Sequence, residues 1–376
     1  MKKLFAVLLV LTSTNAFATK ARYKALNSSF HLVDTQSEFS SPYHIFSLPD
    51  FVSVESGLST ATTVDNNAEG LAKFSTGDNS KMLVAIGHKD EAIQSQRKFM
   101  NAASGKAFLM QQNPVEVIYG VKTGGNVYAG GLFYSKYKDK TTDKNEESTG
   151  ARFGATFGDF KAKINLGLVN KVQNVVSPVS GDGTFSNQPY TNVAVRYAMG
   201  ENKFGLDFTM WNAKRDDTLG VEANSFEFQN IKFQYVNTTA KDGEDFFYGV
   251  AVDSISLKDK TQSKDLRRLA LPVWFGLEHQ ASEWLTVRGS LKQTLWAQST
   301  DDRGYSAGAV DGASGVDGVA SDFSPDANNT EAAIGVGLKY KSVMFDGTLS
   351  GLTGKTANQQ LDGNNLLAQA GLTYNY

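Results

Sequence analysis

The chain has 376 residues, no cysteine and a formal net charge of −2, with 37 Lys and Arg against 39 Asp and Glu. The lack of cysteine excludes a disulfide framework, a thiolate metal site and a cysteine nucleophile. The nearly balanced charge does not indicate a nucleic-acid partner. A composition of 24 Phe, 14 Tyr and 35 Gly beside only 7 Pro is typical of many short strands joined by polar turns.

The first 18 residues have the order of a secretory signal peptide. Lys2 and Lys3 precede the apolar run Leu4–Leu11, and the small residues of Ala16-Phe17-Ala18 follow. This order predicts export and cleavage after Ala18, which would leave a mature chain with a net charge of −4. The apolar run is much shorter than the about 20 residues that a spanning helix needs, so an N-terminal anchor is the less favoured interpretation.

Alternation of apolar and polar residues with a period of two follows the signal peptide. It is clearest in 160–169, where the apolar residues are Phe160, Ala162, Ile164, Leu166 and Leu168. A period of two places apolar side chains on one face of a strand and polar side chains on the other. Such segments of about ten residues match the about 9 to 11 residues of a tilted transmembrane strand. A soluble β-sandwich is the competing fold, but its strands average only about 5 or 6 residues.

The pattern predicts an all-β protein: a transmembrane, antiparallel up-and-down β-barrel of about 16 strands. The predicted strands are 50–58, 68–75, 80–87, 114–122, 126–137, 148–157, 159–169, 190–199, 203–212, 226–236, 245–256, 268–278, 284–296, 331–341, 343–351 and 364–376. Because simple closure of a bacterial barrel requires an even number of strands, 14 strands with an N-terminal plug are the alternative. The predicted domains are the signal peptide 1–18, an N-terminal leader or plug segment 19–49 and the barrel 50–376.

Connections between the predicted strands alternate between short turns and long polar loops. Short turns are typical of the periplasmic side of outer-membrane barrels, and long loops of the extracellular side. One long loop, 88–113, has helix-forming residues over Glu91–Ala103. Two interpretations remain open for this loop: a helix folded into the barrel, or a loop on the outer surface.

Charged residues within the strands indicate a water-filled interior. An outward Lys or Arg near the bilayer midplane costs about 2 to 4 kcal/mol, whereas an inward charge meets water. Side chains alternate between the two faces of a strand, and we assign the face opposite the apolar residues to the interior. The inward basic residues are then Lys122, Lys136, Arg152, Lys161, Lys163, Arg196, Lys232, Arg268, Arg288, Lys292 and Lys339, and the inward acidic residues are Glu116, Asp207, Glu227, Asp253, Glu278 and Asp346.

The pore-lining residues that we predict from this set are Lys122, Arg152, Lys161, Lys163, Arg196, Asp207, Lys232, Arg268, Arg288 and Lys292. The surplus of inward cations predicts a weak preference for anions, with Arg196, Arg288 and Lys292 as the main contributors. The competing interpretation is that these charges form structural ion pairs within the wall.

Other candidate sites in the sequence carry little weight. The Asp-rich loop Asp301–Asn329 contains oxygen ligands of the kind that bind calcium, but its spacing matches no EF-hand loop. Only four histidines occur, and neither a Gly-x-Ser-x-Gly elbow nor a His-Glu-x-x-His pair is present. We therefore expect no catalytic residue, no metal site and no cofactor.

Two segments resemble known outer-membrane proteins. Leu366, Ala368, Ala370, Leu372, Tyr374 and Tyr376 alternate up to an aromatic terminus, which resembles the C-terminal strand signature of bacterial outer-membrane proteins, with Tyr in place of the usual Phe. The leader residues 25–35 and Leu48-Pro49-Asp50-Phe51 resemble the start of porin-like major outer-membrane proteins of predatory deltaproteobacteria. The first resemblance implies contact with the barrel-assembly machinery through the last strand, and the second implies an abundant barrel and a homotrimer.

These observations together predict a porin-like channel in the outer membrane of a Gram-negative bacterium, in contact with membrane lipid and lipopolysaccharide. It would serve passive diffusion of small hydrophilic solutes. The alternatives are a plugged, substrate-selective channel in which residues 19–49 enter the lumen, and a structural or adhesive barrel without conductance.

Overall fold

The computed structural model describes residues 19–59, 67–104, 108–140, 144–174, 183–187, 189–217, 219–241, 243–301, 330–353 and 367–376. The predicted signal peptide and most of the Asp-rich loop lie outside these residues.

The described chain forms a closed antiparallel barrel of sixteen strand positions. The strands are β1 (Phe51–Ser59), β2 (Asn67–Gly77), β3 (Ser80–Ile86), β4 (Val115–Thr123), β5 (Asn126–Lys138), β6 (Asn145–Phe157), β7 (Phe160–Asn174), β8 (Gly183–Asn187), β9 (Tyr190–Met199), β10 (Asn202–Asp216), β11 (Glu222–Lys241), β12 (Glu244–Asp259), β13 (Lys264–Ser282), β14 (Leu285–Asp301), β15 (Thr330–Tyr340), β16 (Val343–Thr353) and β17 (Leu367–Asn375). Strands β8 and β9 share one position, because both pair with β7 and β10. Pairing of β1 with both β17 and β2 closes the sheet.

All sixteen predicted strands are present, so the sixteen-strand prediction is confirmed and the fourteen-strand alternative is wrong. The short strand β8 was not predicted, since it falls within a segment that the sequence analysis treated as a loop. At the end of the barrel opposite the long loops, short turns join the strands. Gly124 and Gly125, with φ angles of +56° and +82°, form the turn between β4 and β5, where side chains would be strained.

The described residues include four helical segments: α1 (Lys20–Ala25), α2 (Thr35–Ser40), a 3₁₀ helix (Pro42–Phe46) and α3 (Glu91–Ser104). Asp34 begins α2 with a capping box, in which its carboxylate accepts from the Ser37 amide at 2.6 Å and the Ser37 hydroxyl accepts from the Asp34 amide at 2.9 Å. Helix α3 confirms the predicted helical segment to within one residue. Among the described helices, none is long and apolar enough to cross a membrane.

The outer surface of the barrel carries a continuous belt of exposed apolar side chains. Val193, Leu206, Ile231 and Phe233 are all more than a third exposed on this face, and they are cross-strand or same-face neighbours on β9–β11. An aromatic row borders the belt at the tight-turn end, with ring centroids 4.5 to 6.4 Å apart; it consists of Phe160, Tyr197, Phe204 and Tyr235. Such rows are typical of the membrane interface.

The apolar and polar faces exchange places partway along the long strands β10–β13. In β11, Ile231 and Phe233 face outward, whereas Phe226 and Phe228, on the opposite face, are buried inside the barrel. The outward positions that follow the belt toward the loop end are polar, as at Glu227. The same exchange occurs in the neighbours: Trp211 and Ala213 in β10, Ile255 and Leu257 in β12, and Leu266 in β13 all face inward and are buried.

This exchange divides the barrel into two tiers. The lower tier, toward the tight turns, has an apolar exterior and a polar interior. The upper tier, toward the long loops, has a polar exterior and an apolar interior, as in a water-soluble protein. We infer that the upper tier projects beyond the lipid, because outward polar residues are costly in hydrocarbon.

The two tiers predict opposite responses to an outward charge on the same face of β12. Val250→Arg places a charge in the belt and should reduce assembly and stability by about 2 to 4 kcal/mol, whereas Ser256→Arg in the upper tier should be tolerated. Folded yield in lipid vesicles and urea titration would measure both variants. Equal destabilisation by the two substitutions would contradict the assignment of tiers.

Candidate functional site: the barrel interior

The leader, residues 19–49, lies inside the barrel, and its first helix packs on strands β14–β17. Two wall glycines permit this close approach. A Cβ atom added at Gly335 would lie 2.7 Å from Ala25 Cβ, and one added at Gly371 would lie 2.6 Å from Thr19 Cβ. The wall also caps the helix, because the Ser290 hydroxyl donates to the Ala25 carbonyl at 2.7 Å. These contacts place the start of the leader against the inner wall of the barrel.

A buried ionic network fixes helix α1 to the wall. Arg22 Nε and Nη2 donate to the two carboxylate oxygens of Glu278 at 2.7 and 3.1 Å. Glu278 also accepts from Arg288 Nε, and Arg288 Nη1 donates to Asp346 Oδ1 at 2.5 Å. The Thr19 hydroxyl completes the network by donating to Asp346 at 3.2 Å. Because each charge is out of bulk water, removal of one partner would leave another buried and unpaired.

The middle of the leader crosses the barrel beside strands β12 and β13. Trp274 Nε1 donates to Ser29 Oγ at 3.0 Å, and the His31 ring lies edge-on to Phe247 with centroids 4.6 Å apart. Phe30 contacts the guanidinium of Arg196, whose Cζ lies 5.0 Å from the ring centroid. Leader residues thus contact wall strands that are distant in sequence.

Helix α2 joins the leader to strands β1 and β2 through polar side chains. Thr35 Oγ1 donates to Glu55 Oε1 at 2.7 Å, and Gln36 Nε2 donates to Glu69 Oε1 at 2.7 Å. Glu38 forms a fully buried ion pair with Lys73. Carboxylates that would be costly to bury alone are therefore paired or hydrogen-bonded in this region.

The 3₁₀ helix ends the crossing against strands β3–β7. A Cβ atom at Gly120 would lie 2.5 Å from the Ile45 side chain, so glycine is needed at this wall position as well. Asn165 Nδ2 donates to the Ser40 carbonyl at 2.9 Å, and Lys161 Nζ lies 5.8 Å from the centroid of the Tyr43 ring. The leader therefore runs from one side of the interior to the other.

Helix α3 fills the upper tier. Phe99 packs against Trp211 and Phe226, with ring centroids 5.4 and 5.0 Å apart. Arg97 is fully buried, and it donates to Glu146 Oε2 at 3.0 Å and to Asn170 Oδ1 at 2.8 Å. These contacts place helix α3 inside the barrel, so the alternative of an outer surface location for this helix is wrong.

The ten predicted pore-lining residues all lie on the inward face, but they differ in their surroundings. Arg152 is buried between Glu116 and Asp90, at 2.5 and 2.7 Å. Arg288 is bound in the network with Glu278, and Arg268 is also buried. Lys122 is exposed at a strand end, and Lys292 Nζ lies 3.9 Å from Glu331 Oε2. The remaining five residues of the prediction lie close together and are partly exposed; they are Lys161, Lys163, Arg196, Asp207 and Lys232, the cross-strand partner of Asp207.

Two other inward assignments are wrong. Lys136 and Glu227 face outward, since Ser135 is fully buried on the inner face of β5 and Phe226 and Phe228 are buried on the inner face of β11. Both residues belong to the upper tier, where polar side chains face the exterior. The assumption that every charged residue of a strand faces the interior is therefore wrong in that tier.

Several inward polar residues were missed by the sequence analysis. Glu55, Glu69 and Lys73 alternate with the outward residues of β1 and β2, so strand parity could have placed them inside. Lys203, the second residue of β10, lies on the same face as Asp207 and could have been found in the same way. His88, whose Nδ1 lies 2.8 Å from Glu69 Oε2, stands beyond the end of β3, where no periodicity indicates its direction.

Within the described ranges, no group of three or more His, Asp and Glu side chains is placed to hold a metal ion.

Burial shifts the pKa values of two side chains of the leader, Asp34 and His31. It raises the pKa of the Asp34 carboxyl to about 7, and this rise is opposed by hydrogen bonds from Ser37 and by the charge of Arg22. Burial, together with the charges of Lys203 and Arg22, lowers the pKa of His31 to about 3. At neutral pH, His31 is therefore neutral and Asp34 is only partly ionised.

No model of a known protein family and no curated protein matches the sequence. Solved structures with similarity include a bacterial polysaccharide outer membrane secretin, with 9% identity, a TM-score of 0.47 and coverage of 88% of this chain and 98% of that chain. BamA from Haemophilus ducreyi lacking POTRA domains 1–3 has 9% identity, a TM-score of 0.47 and coverage of 86% and 70%. A porin has 8% identity, a TM-score of 0.39 and coverage of 88% and 99%. No residue role or activity is transferred from these proteins.

The raised pKa of Asp34 predicts that the leader is held less firmly as the pH rises. A raised carboxyl pKa stabilises the docked form fully below the unfolded value of about 4, and this contribution is lost as the pH rises toward about 7. Asp34→Asn keeps an N-cap acceptor and removes the titration. Hydrogen exchange of residues 35–41, corrected for intrinsic rates, should lose protection between pH 5 and pH 8 in the wild type and lose less in the variant. An identical pH profile in both proteins would contradict this role of Asp34.

Proposed function

We propose that the chain is a multi-pass outer-membrane channel for small hydrophilic solutes, without enzymatic activity. The observation that supports this proposal is a closed sixteen-position barrel with an apolar outer belt around a polar lower interior. A belt of this kind suits lipid outside, and barrels of 16 to 18 strands are wide enough for an aqueous passage.

The position of the leader favours a plugged, substrate-selective channel over an open diffusion pore. The leader makes hydrogen bonds or ion pairs with β1, β2, β7, β13, β14 and β16, and most of its residues are buried. Solutes would pass through space beside the leader or through space that opens when the leader moves. An open pore remains the second candidate, since the lysines on β7 and β10 are partly exposed within the interior.

The partners in this proposal follow from the surface and from the sequence. Membrane lipid and lipopolysaccharide would contact the belt. The barrel-assembly machinery would recognise strand β17. A homotrimer, and a relationship to major outer-membrane proteins of predatory deltaproteobacteria, are further proposals that rest on the resemblance of the leader.

A reversible cross-link tests whether the leader must move. The chain has no cysteine, so Ala25→Cys with Gly335→Cys introduces the only pair, at positions whose Cβ atoms would be close enough for a disulfide after a shift of about 1 Å. In planar bilayers, oxidation should lower the conductance of the double variant, and reduction should restore it. The two single variants are the controls.

Two other outcomes of this cross-linking experiment would favour an open pore or refute the channel. Conductance that is unaffected by oxidation would show that solutes pass a stationary leader, which favours the open pore. A complete lack of conductance in the wild type and in every variant, oxidised or reduced, would refute the channel proposal.

We also propose a weak preference for anions, carried by inward cations that are not balanced by carboxylates. Arg288 contributes little in this proposal, because Glu278 and Asp346 surround it. Reversal potentials across a KCl gradient should show the anion preference, and it should shrink at high salt. Lys161→Glu with Lys232→Glu should shift the ratio toward cations, whereas Lys136→Glu on the outer face should not. A wild-type pore that prefers cations would contradict the assignment.

A further inference from the structure

We infer that the inward face of β7, β9 and β10 holds a binding site for small oxyanions with more than one negative charge, of which inorganic phosphate is the simplest. The basic cluster that forms it consists of Lys161, Lys163, Arg196 and Lys203. This inference rests on the proposed channel function and names the solute class that the channel would select.

Strand register brings the four cations together. Lys161 is the cross-strand partner of Arg196, so their Cβ atoms are about 4.5 to 5.5 Å apart. Arg196 in turn is paired with Gly205, which places Lys203 two residues away on the same face of β10. Lys163 follows Lys161 by two residues on the inward face of β7. All four side chains therefore project into one part of the lower interior.

Negative charge near the cluster is insufficient to balance it. Asp207 is the carboxylate within the group, and it is bound to Arg196 Nη2 at 2.7 Å and to Gln234 Nε2 at 2.6 Å. Among the described residues, no carboxylate oxygen lies within 4.0 Å of Lys161, Lys163 or Lys203. The cluster thus has four cationic side chains, of which only Arg196 contacts a carboxylate, and Asp245 is a further carboxylate near Lys203.

This imbalance contrasts with the other cations of the interior. Arg97, Arg152 and Arg288 are each hydrogen-bonded to at least one carboxylate, and Lys73 is paired with Glu38. These four buried cations are therefore each balanced by a carboxylate. Like charges placed opposite each other across strands are destabilising, so a purely structural cluster would reduce stability without compensation. A bound anion would remove that cost.

The surroundings of the cluster favour a small and multivalent anion. Its four cations are partly exposed although they lie inside the barrel, so water and small ions reach them. The leader covers two of them with aromatic rings, Tyr43 beside Lys161 and Phe30 beside Arg196. These rings restrict the space next to the cations, and a surplus of more than one positive charge is better compensated by a divalent oxyanion than by chloride. This geometry predicts saturable binding of the anion at one site, in addition to a general electrostatic attraction of anions into the interior.

Phosphate binding by the full-length mature protein tests the inference. Isothermal titration with potassium phosphate at pH 7.5 and constant ionic strength should show saturable binding to the wild type in detergent. Lys161→Gln with Lys163→Gln should weaken binding by at least about tenfold, the effect of about 1.4 kcal/mol. Lys136→Gln, which removes a lysine from the outer face, is the matched control and should bind phosphate like the wild type.

A second variant distinguishes loss of the binding site from misfolding of the double lysine variant. Asp207→Asn removes the single carboxylate of the cluster and should tighten phosphate binding, a gain that misfolding cannot produce. Equal phosphate affinity in the wild type, the double lysine variant and Asp207→Asn would overturn the inference, and so would an absence of saturable binding to the wild type.

Planar-bilayer recording separates this inference from the channel proposal. Millimolar phosphate should reduce the chloride current of the wild type in a saturable way, and should do so much less in the double lysine variant. A current that phosphate does not affect would overturn the anion site and leave the channel proposal standing. A lack of any current, with calorimetric binding that the lysine substitutions abolish, would refute the channel and support the site.

Discussion

A closed barrel of sixteen strands encloses more volume than its own inward side chains can fill, and this excess volume governs the rest of the structure. Water can fill it, as in an open pore, or the chain can supply additional segments. Here the chain supplies two. The leader crosses the lower tier between strands on opposite sides, and α3 packs into the upper tier against an apolar wall.

The two segments are held by different interactions because their surroundings differ. In the lower tier the wall must be apolar toward lipid, so its inward positions are polar and the leader is bound by ion pairs such as Arg22–Glu278. In the upper tier the exterior is polar, so apolar residues such as Phe226 are free to face inward and pack on Phe99. The buried Arg97 is the exception there, and Glu146 and Asn170 satisfy it.

Strand positions could be predicted from the sequence because a period of two is a local property. All sixteen strand positions were found in this way, and the helix at 91–103 followed from its composition. Side-chain direction could be predicted only where the exterior is lipid. Lys136 and Glu227 were misplaced because the exterior of the upper tier is polar, and the boundary between the tiers depends on how far the strands extend beyond the membrane.

The contacts of the interior could not be predicted, since they depend on three-dimensional proximity between distant segments. Arg22 and Glu278 are separated by 256 residues, and nothing in the local pattern pairs them. The same holds for Arg152, whose partners Glu116 and Asp90 lie on a different strand and before α3. Parity identified Arg152 and Arg288 as inward, but it could not distinguish a paired cation from one that is available to a solute.

The direct connection between the leader and β1 has a consequence for the order of assembly. The leader runs straight into β1, and β1 pairs with β17 to close the sheet. The residues at the start of the leader contact β16 and β17, which follow all other described strands in the chain. The leader can therefore make these contacts only when β16 and β17 are in place. Docking of the leader consequently belongs to a late step in the biogenesis of this protein.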